Sequence, residues 1–368
     1  MFDRRLFRNF DYLLLLTVCV IILISLVVIS SATLVNPTGD PLHYVKRQAI
    51  WFAFCLFVLI IVVSIDYTQM YRFSNYLYIF NLILLLAVLF IGKETSGAQR
   101  WIDLRFFDLQ PSEFAKIIII ISLARHLAQR EGNFDSITSI IPAFLHVAAP
   151  MILIFKQPDL GTSLVFIVIL FGMLYMAGAR IKHLLLYAIT GLAIGLPLLW
   201  HRLLYYQKMR LTVFLNPESD PLHYGYQLIQ SMIAIGSGGW RGKGIFEGTQ
   251  SQLEFLPAQS TDFIFSVIAE ELGFIGALIL LLLYLYLIMR IVRMASLSRD
   301  TFGTLVCIGV ASMLTFQVLV NIGMTISIMP VTGLPLPFMS YGGSSLLVNM
   351  ISIGLVLSIG MRRHRLMF

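Results

Sequence analysis

A carboxylate, Asp262, closes the polar stretch Leu256-Pro257-Ala258-Gln259-Ser260-Thr261 and opens the apolar run that begins Phe263-Ile264-Phe265. An aspartate in that place has two uses. It can cap the following helix by accepting backbone N–H groups at the positive end of the dipole, or act as a general base where water meets lipid. Glu270 and Glu271 lie two turns further on within the apolar run. An ionised carboxylate there costs roughly 2.5–3.5 kcal/mol at mid-bilayer, so it pairs structurally or faces a polar interior near a substrate. Pro111-Ser112-Glu113-Phe114-Ala115-Lys116 begins another run. Proline suits a first helical turn, and Glu113 and Lys116 share a face at i, i+3. They neutralise each other, or Lys116 meets a phosphate near the outward surface. Asp159 in Gln157-Pro158-Asp159-Leu160-Gly161-Thr162 is again a carboxylate before a helix, and Arg100 stands beside Trp101 in Gly97-Ala98-Gln99-Arg100-Trp101, where Trp101 suits an interfacial anchor.

Two glycine-rich segments call for different readings. Ile235-Gly236-Ser237-Gly238-Gly239-Trp240-Arg241-Gly242-Lys243-Gly244 looks like a phosphate loop but puts Ser237 and Gly244 where a Walker A motif needs Gly and Ser/Thr, so tight turns are expected. Met329 to Ser345 mixes three prolines, three glycines and four Ser/Thr residues, Ser340 among them, with apolar side chains. A regular helix cannot run through it. Irregular backbone at membrane depth survives only inside protein or against a wet cavity, which predicts a partly re-entrant site wall.

The elements that hold these residues follow from composition. Of 368 residues, 58% are hydrophobic and 12% charged, with mean hydropathy +0.86, which excludes a soluble globule. The apolar runs Tyr12–Ala32, Ala49–Ser64, Leu77–Ile91, Phe114–Leu127, Ile140–Phe155, Leu164–Ala177, Leu184–Trp200, Phe263–Met289, Phe302–Ile322 and Leu346–Met361 predict ten spanning helices. The first is too long for the apolar core of a signal peptide and reads as an uncleaved span. The expected fold is an all-α polytopic membrane protein in one domain over 1–368. A large extracytoplasmic loop, 202–262, joins helices 7 and 8, and a broken segment, 323–345, precedes helix 10.

Ten spans put both termini on one side. Short segments on that side carry Arg4, Arg5, Arg8, Arg72, Arg125, Arg130, Arg180, Lys182, Arg290, Arg293, Arg299, Arg362, Arg363 and Arg365. They outnumber Lys46, Arg47, Lys93, Arg100, Arg105 and Lys156 opposite, so both termini are expected in the cytoplasm. The formal charge of +7 is thereby accounted for as topology signal, and with no nucleic-acid-binding motif no nucleic-acid partner is expected. Cys19, Cys55 and Cys307 lie in apolar runs and the seven histidines are scattered, which suggests neither a disulfide framework nor a metal motif.

GAQRW at 97–101, PSEFAK at 111–116, QPDLGT at 157–162, LPAQSTDFIF at 256–265, EELGFIG at 270–276 and LPLPFMSYGGSS at 334–345 together resemble the SEDS family of membrane glycosyltransferases. NPESDP at 216–221, QSMIAIGSGGWRGKG at 230–244 and GTQSQLEFLP at 248–257 are similar to its RodA, or elongation, branch. In one place the chain departs from the family pattern: Ala258 stands where a glutamate is usual, while Thr261-Asp262-Phe263 is intact.

The resemblance implies a peptidoglycan glycosyltransferase that polymerises lipid II during cell elongation. Asp262 would deprotonate the acceptor GlcNAc 4-hydroxyl, which attacks the terminal MurNAc of the growing strand in an inverting displacement and expels undecaprenyl diphosphate. Arg100, Lys116 and Arg210 are the candidate cations for the leaving group, and Glu113, Asp159, Glu270 and Ser340 the further substrate-binding candidates. No cofactor is identified; a divalent cation stays open, with no ligand motif to place it. The implied partners are the lipid-linked strand, a class B penicillin-binding protein and elongation-complex proteins, and the implied home is a bacterial inner membrane. A lipid II flippase and a noncatalytic scaffold for the transpeptidase are the alternatives.

Overall fold

The structure, a computed structural model, describes residues 9–34, 40, 42–95, 98–103, 108–130, 132, 134, 136–195, 197, 200–201, 203–223 and 225–362. Of the residues invoked above, Arg4, Arg5, Arg8, Gly97, Arg105, Arg202, Arg363 and Arg365 lie outside that set.

Each of the ten predicted runs forms a helix: α1 Tyr12–Ala32, α2 His43–Ser64, α3 Tyr67–Ile91, α4 Pro111–Ala128, α5 Ile137–Lys156, α6 Leu160–Met176, α7 Ile181–Thr190, α11 Ile264–Ser296, α12 Thr301–Thr325 and α13 Gly343–Met361. Seven are long and apolar enough to cross a membrane by length and composition alone. The others are α4, which carries Glu113, Lys116 and Arg125 in its 18 residues, and the shorter α6 and α7, the latter continued by a π-helical turn at Gly191–Gly195. The chain is a polytopic helical membrane protein.

Several helices outrun their apolar stretches because polar residues extend them. α3 begins ten residues before Leu77, where Asp66 accepts from the Thr68 amide at 2.9 Å and caps the start. α12 packs against α4, α6, α11 and α13 at the centre of the bundle. Polar groups inside the spans face this interior; Gln48, Asn81, Lys116, Gln317, Asn321 and Asn349 are fully buried.

Three features go beyond the expected set of spanning helices. Residues 93–109 include short antiparallel strands β1 Lys93–Thr95, β2 Ala98–Asp103 and β3 Asp108–Leu109, in the order β1-β2-β3. At two to six residues they are too short for an alternation to show in the sequence. The long loop contains helices too: α8 Tyr205–Leu215, α9 Tyr226–Gly238 and α10 Thr249–Gln252, with a 3-10 turn at Pro217–Ser219.

The third feature is a break in α11 at Gly273, with φ 65 and ψ −164. The glycine-rich stretch 239–244 lies against the break and supplies the backbone partners that the helix loses there. Lys243 and Gly244 amides donate to the Glu270 and Glu271 carbonyls at 3.0 Å each, and Phe274 and Ile275 amides donate to Gly239 and Trp240 carbonyls at 2.9 and 3.2 Å. Only a residue without Cβ fits between the two backbones. A Cβ on Gly242, which also has φ +79, would lie 2.0 Å from the Glu271 carbonyl oxygen. Gly242→Ala should therefore destabilise by about 3 kcal/mol. The check is a lowered thermal midpoint in detergent, against an unchanged midpoint for Gly236→Ala, where a Cβ meets open space.

Candidate active site

The start of α11 decides how Asp262 is used. The helix begins at Ile264 with Phe263 as N-cap and no side-chain capping bond. The Asp262 carboxylate is therefore not spent on the helix end, unlike Asp159, whose oxygens accept from the Thr162 amide at 3.1 Å and hydroxyl at 2.9 Å. A turn presents Asp262: Ala258, left-handed at φ 52, offers its carbonyl to the Thr261 and Phe263 amides at 3.1 and 3.2 Å.

Facing that turn is the broken segment that follows α12. Its backbone groups are satisfied by side chains from several helices, as irregular backbone among spans requires. Ser25 of α1 donates to the Met339 carbonyl at 2.6 Å, Tyr284 of α11 to Pro337 at 2.5 Å and Asn321 of α12 to Leu334 at 2.9 Å. Ser340 ties the two walls together. Its hydroxyl donates to the Thr261 carbonyl at 2.5 Å and accepts from the Leu336 amide at 2.8 Å, while the Tyr341 amide reaches Ser260 at 2.9 Å.

Gly333, at φ +72, is where charge converges. A Cβ built there would lie 3.6 Å from Asp262 Oδ2 and 4.0 Å from Arg210 Nη1. Arg210 comes from α8, its guanidinium 5.7 Å above the Tyr206 ring. Arg100, on β2, donates Nε to the Gln157 carbonyl at 3.0 Å and Nη2 to Pro158. The Pro158 carbonyl also accepts from Tyr206 at 3.3 Å and Gln207 at 3.2 Å, so one turn gathers β2 and α8. That turn abuts the broken segment: a Cβ on Gly161 would lie 2.9 Å from Leu334 Cγ. Burial pushes the Asp262 carboxyl above the ordinary carboxylate range, and Arg210 and then Arg100 pull it back down.

The remaining candidates have structural partners. Glu113 and Lys116 form a buried 2.7 Å ion pair within α4. Ser112 donates to Asp159 at 3.3 Å, joining the starts of α4 and α6 beside the Arg100 turn. Glu270 holds the long loop, accepting from Lys243 at 2.8 Å and from the Gln250 and Ser251 amides at 2.9 and 3.3 Å. The structure thus brings Asp262, Arg100, Arg210 and Ser340 together, with Glu113, Lys116 and Asp159 in an adjoining buried group and Glu270 engaged with the loop.

Tyr206, Gln207, Asn321 and Gly333 belong to the site and were not singled out in the sequence. Asn321 left a signal, an amide within an apolar span; the others left none above their surroundings. An apolar cavity of about 950 Å³ runs between α5, α6, α7, α11 and α12, lined by Met151, Phe171, Tyr187, Ile288 and Leu319 among others. Among the described residues no group of three or more His, Cys, Asp or Glu side chains converges as a metal site.

Comparison with known proteins places the chain in a family. The FtsW/RodA/SpoVE family, described as cell cycle proteins, matches residues 11–365. The chain belongs to that family. Relatives within FtsW/RodA/SpoVE include the peptidoglycan glycosyltransferase MrdB of Escherichia coli, 43% identical over 347 residues covering 94% of this chain and 93% of MrdB. The stage V sporulation protein E of Bacillus subtilis is 36% identical over 95% of this chain and 96% of its own.

Solved structures of the FtsW/RodA/SpoVE type agree in fold. A chain from a peptidoglycan synthase complex, described as coordinating polymerization and crosslinking, superposes with TM-score 0.81 at 35% identity, covering 97% of this chain and 99% of that one. The rod shape determining protein RodA of Thermus thermophilus superposes with TM-score 0.72 at 30% identity, covering 97% and 98%.

Proposed function

We propose that the chain is a peptidoglycan glycosyltransferase that polymerises lipid II during elongation, with Asp262 as its general base. One observation carries the assignment: the Asp262 carboxylate, left out of helix capping, faces the same backbone position, Gly333, as the Arg210 guanidinium. A base and a cation across one small gap are what a displacement with an anionic leaving group needs.

Asp262 takes the proton from the 4-hydroxyl of the acceptor GlcNAc as that oxygen attacks the anomeric carbon of the strand's terminal MurNAc. The new C–O bond forms as the bond to the diphosphate breaks, and undecaprenyl diphosphate leaves with the electron pair. Arg210 and Arg100 meet the developing negative charge. Donor α-linkage and β-product make this a single inversion. The polyprenyl tails need an apolar surface, and the apolar cavity between α5, α6, α7, α11 and α12, which reaches Leu319 two residues before Asn321, supports this reading. Ser340 shapes the wall, while Glu113, Lys116, Asp159 and Glu270 support the chamber through the buried contacts described above. The stretch 239–244, with its three glycines, takes no phosphate, because the Lys243 and Gly244 amides are engaged with the α11 break and the Gly242 amide with the Gly238 carbonyl.

The same reading puts the chain in a bacterial inner membrane with both termini cytoplasmic, working beside a class B penicillin-binding protein and elongation-complex proteins. Purified chain in detergent, given labelled lipid II with no other polymerase and with the partner's transpeptidase inactive, should make glycan polymer. Movement of lipid II across a vesicle membrane with no polymer would replace this reading with a flippase; no polymer and no movement would replace it with a scaffold.

The electrostatics give a pH test. The base works when ionised, so the rate falls as pH drops through a carboxyl raised by burial. Arg210→Gln removes a charge that lowers that value, so the acid limb of the rate profile should move to higher pH. An additional loss of rate on the alkaline plateau measures what Arg210 does for the leaving group.

A further inference from the structure

We propose that Asn321 is a positioning residue for the base: its carboxamide sets the separation between Asp262 and the backbone at Gly333. The inference rests on the assignment of Asp262 above. Asn321 is fully buried in α12, and Nδ2 donates to the Asp262 carbonyl at 3.0 Å and to the Leu334 carbonyl at 2.9 Å. One amide nitrogen therefore grips the residue that carries the base and the residue next to Gly333.

The chemistry explains why an amide stands there. Two carbonyls need two N–H donors from one point, which serine cannot give and an ionised aspartate would repel. The reversed amide orientation would set Oδ1 against two carbonyl oxygens, so the contacts themselves fix which end is nitrogen. The Oδ1 atom has no partner among the described residues. A buried acceptor left unpaired is a cost, and the double donation is the use that offsets it.

Asn321 and Ser340 act on neighbouring residues in different ways. Ser340 belongs to the broken segment and holds Thr261 to it. Asn321 reaches in from α12, the central helix, and refers both walls to a third, rigid element. If Asn321 is removed, Asp262 stays in the site but the gap across which it meets the acceptor hydroxyl is no longer held, and a displacement of about 1 Å costs on the order of 100-fold in rate.

The test uses the full-length chain in detergent with its partner and labelled lipid II over a concentration series, comparing wild type, Asn321→Ser, Asn321→Leu and Asp262→Asn, with thermal midpoints for each. The proposal expects Asn321→Leu to lose kcat by about 100-fold with KM little changed. Asn321→Ser, which keeps one donor, should fall between it and wild type, and both should remain folded at the assay temperature.

A lowered thermal midpoint with wild-type kcat in both variants overturns the proposal and makes Asn321 fold glue; so does failure of both variants to fold. A rise in KM at constant kcat also overturns it, assigning Asn321 to substrate binding. Asp262→Asn separates the two levels of inference. If it is inactive while the Asn321 variants keep wild-type kcat, only the positioning role is lost; if it polymerises like wild type, the base assignment falls and the positioning role with it.

Discussion

Asp262→Asn should make no detectable glycan polymer while folding as wild type does. The amide has the carboxylate's shape but cannot accept a proton at neutral pH, and loss of a positioned general base costs about 10²–10⁴-fold. Folding should survive because Asp262's contact with Asn321 runs through the backbone carbonyl, which the substitution leaves alone. The carboxyl is itself disfavoured as an anion by burial, so neutralising it removes a desolvation cost while leaving Arg210 and Arg100 in place. The measurement is gel-resolved product from labelled lipid II, with the thermal midpoint as control. Polymer from the variant at the wild-type rate would move the base elsewhere.

Lys116→Met should be the most damaging single change to stability. The Lys116 side chain is fully buried and pairs with Glu113 at 2.7 Å, whose second oxygen has no partner among the described residues. Removing the cation leaves a carboxylate uncompensated in the bundle, at a cost of about 3–5 kcal/mol. The double variant Glu113→Gln/Lys116→Met should recover most of that loss, since both charges then disappear together. Its activity decides between the two uses of Lys116. A folded, active double variant makes the pair structural; a folded, inactive one gives Lys116 a role at the substrate diphosphate.

The helices were legible where burial in lipid forces long apolar runs, and each of the ten runs contains a helix. Asp262 was legible as a residue, though its two uses were not separable: capping depends on whether the backbone turns one residue later, at Phe263. The strands at 93–109 were not readable because they are too short for an alternation to show, and the break at Gly273 because it depends on a distant stretch of backbone. Glycines 238–244 looked like turns in isolation. They acquire meaning only when Gly273 opens the helix opposite them, a contact that periodicity within either segment does not encode. The same holds for Asn321, whose two acceptors, Asp262 and Leu334, come from different segments.

The hydrogen bonds that join the first helices to the end of the chain have a consequence for biosynthesis. Ser25 with Met339, Gln48 with Gly342 and Ile65 with Ser358 pair positions 314, 294 and 293 residues apart. At 5–20 residues per second, roughly 15–60 s of translation separates the insertion of α1 and α2 from the arrival of their partners. Through that interval Gln48 lacks the wall it will be buried against, so the N-terminal helices must wait beside the insertion machinery or pair provisionally. A ribosome stalled before α13 leaves more than a missing helix. It leaves α2 without its final seat.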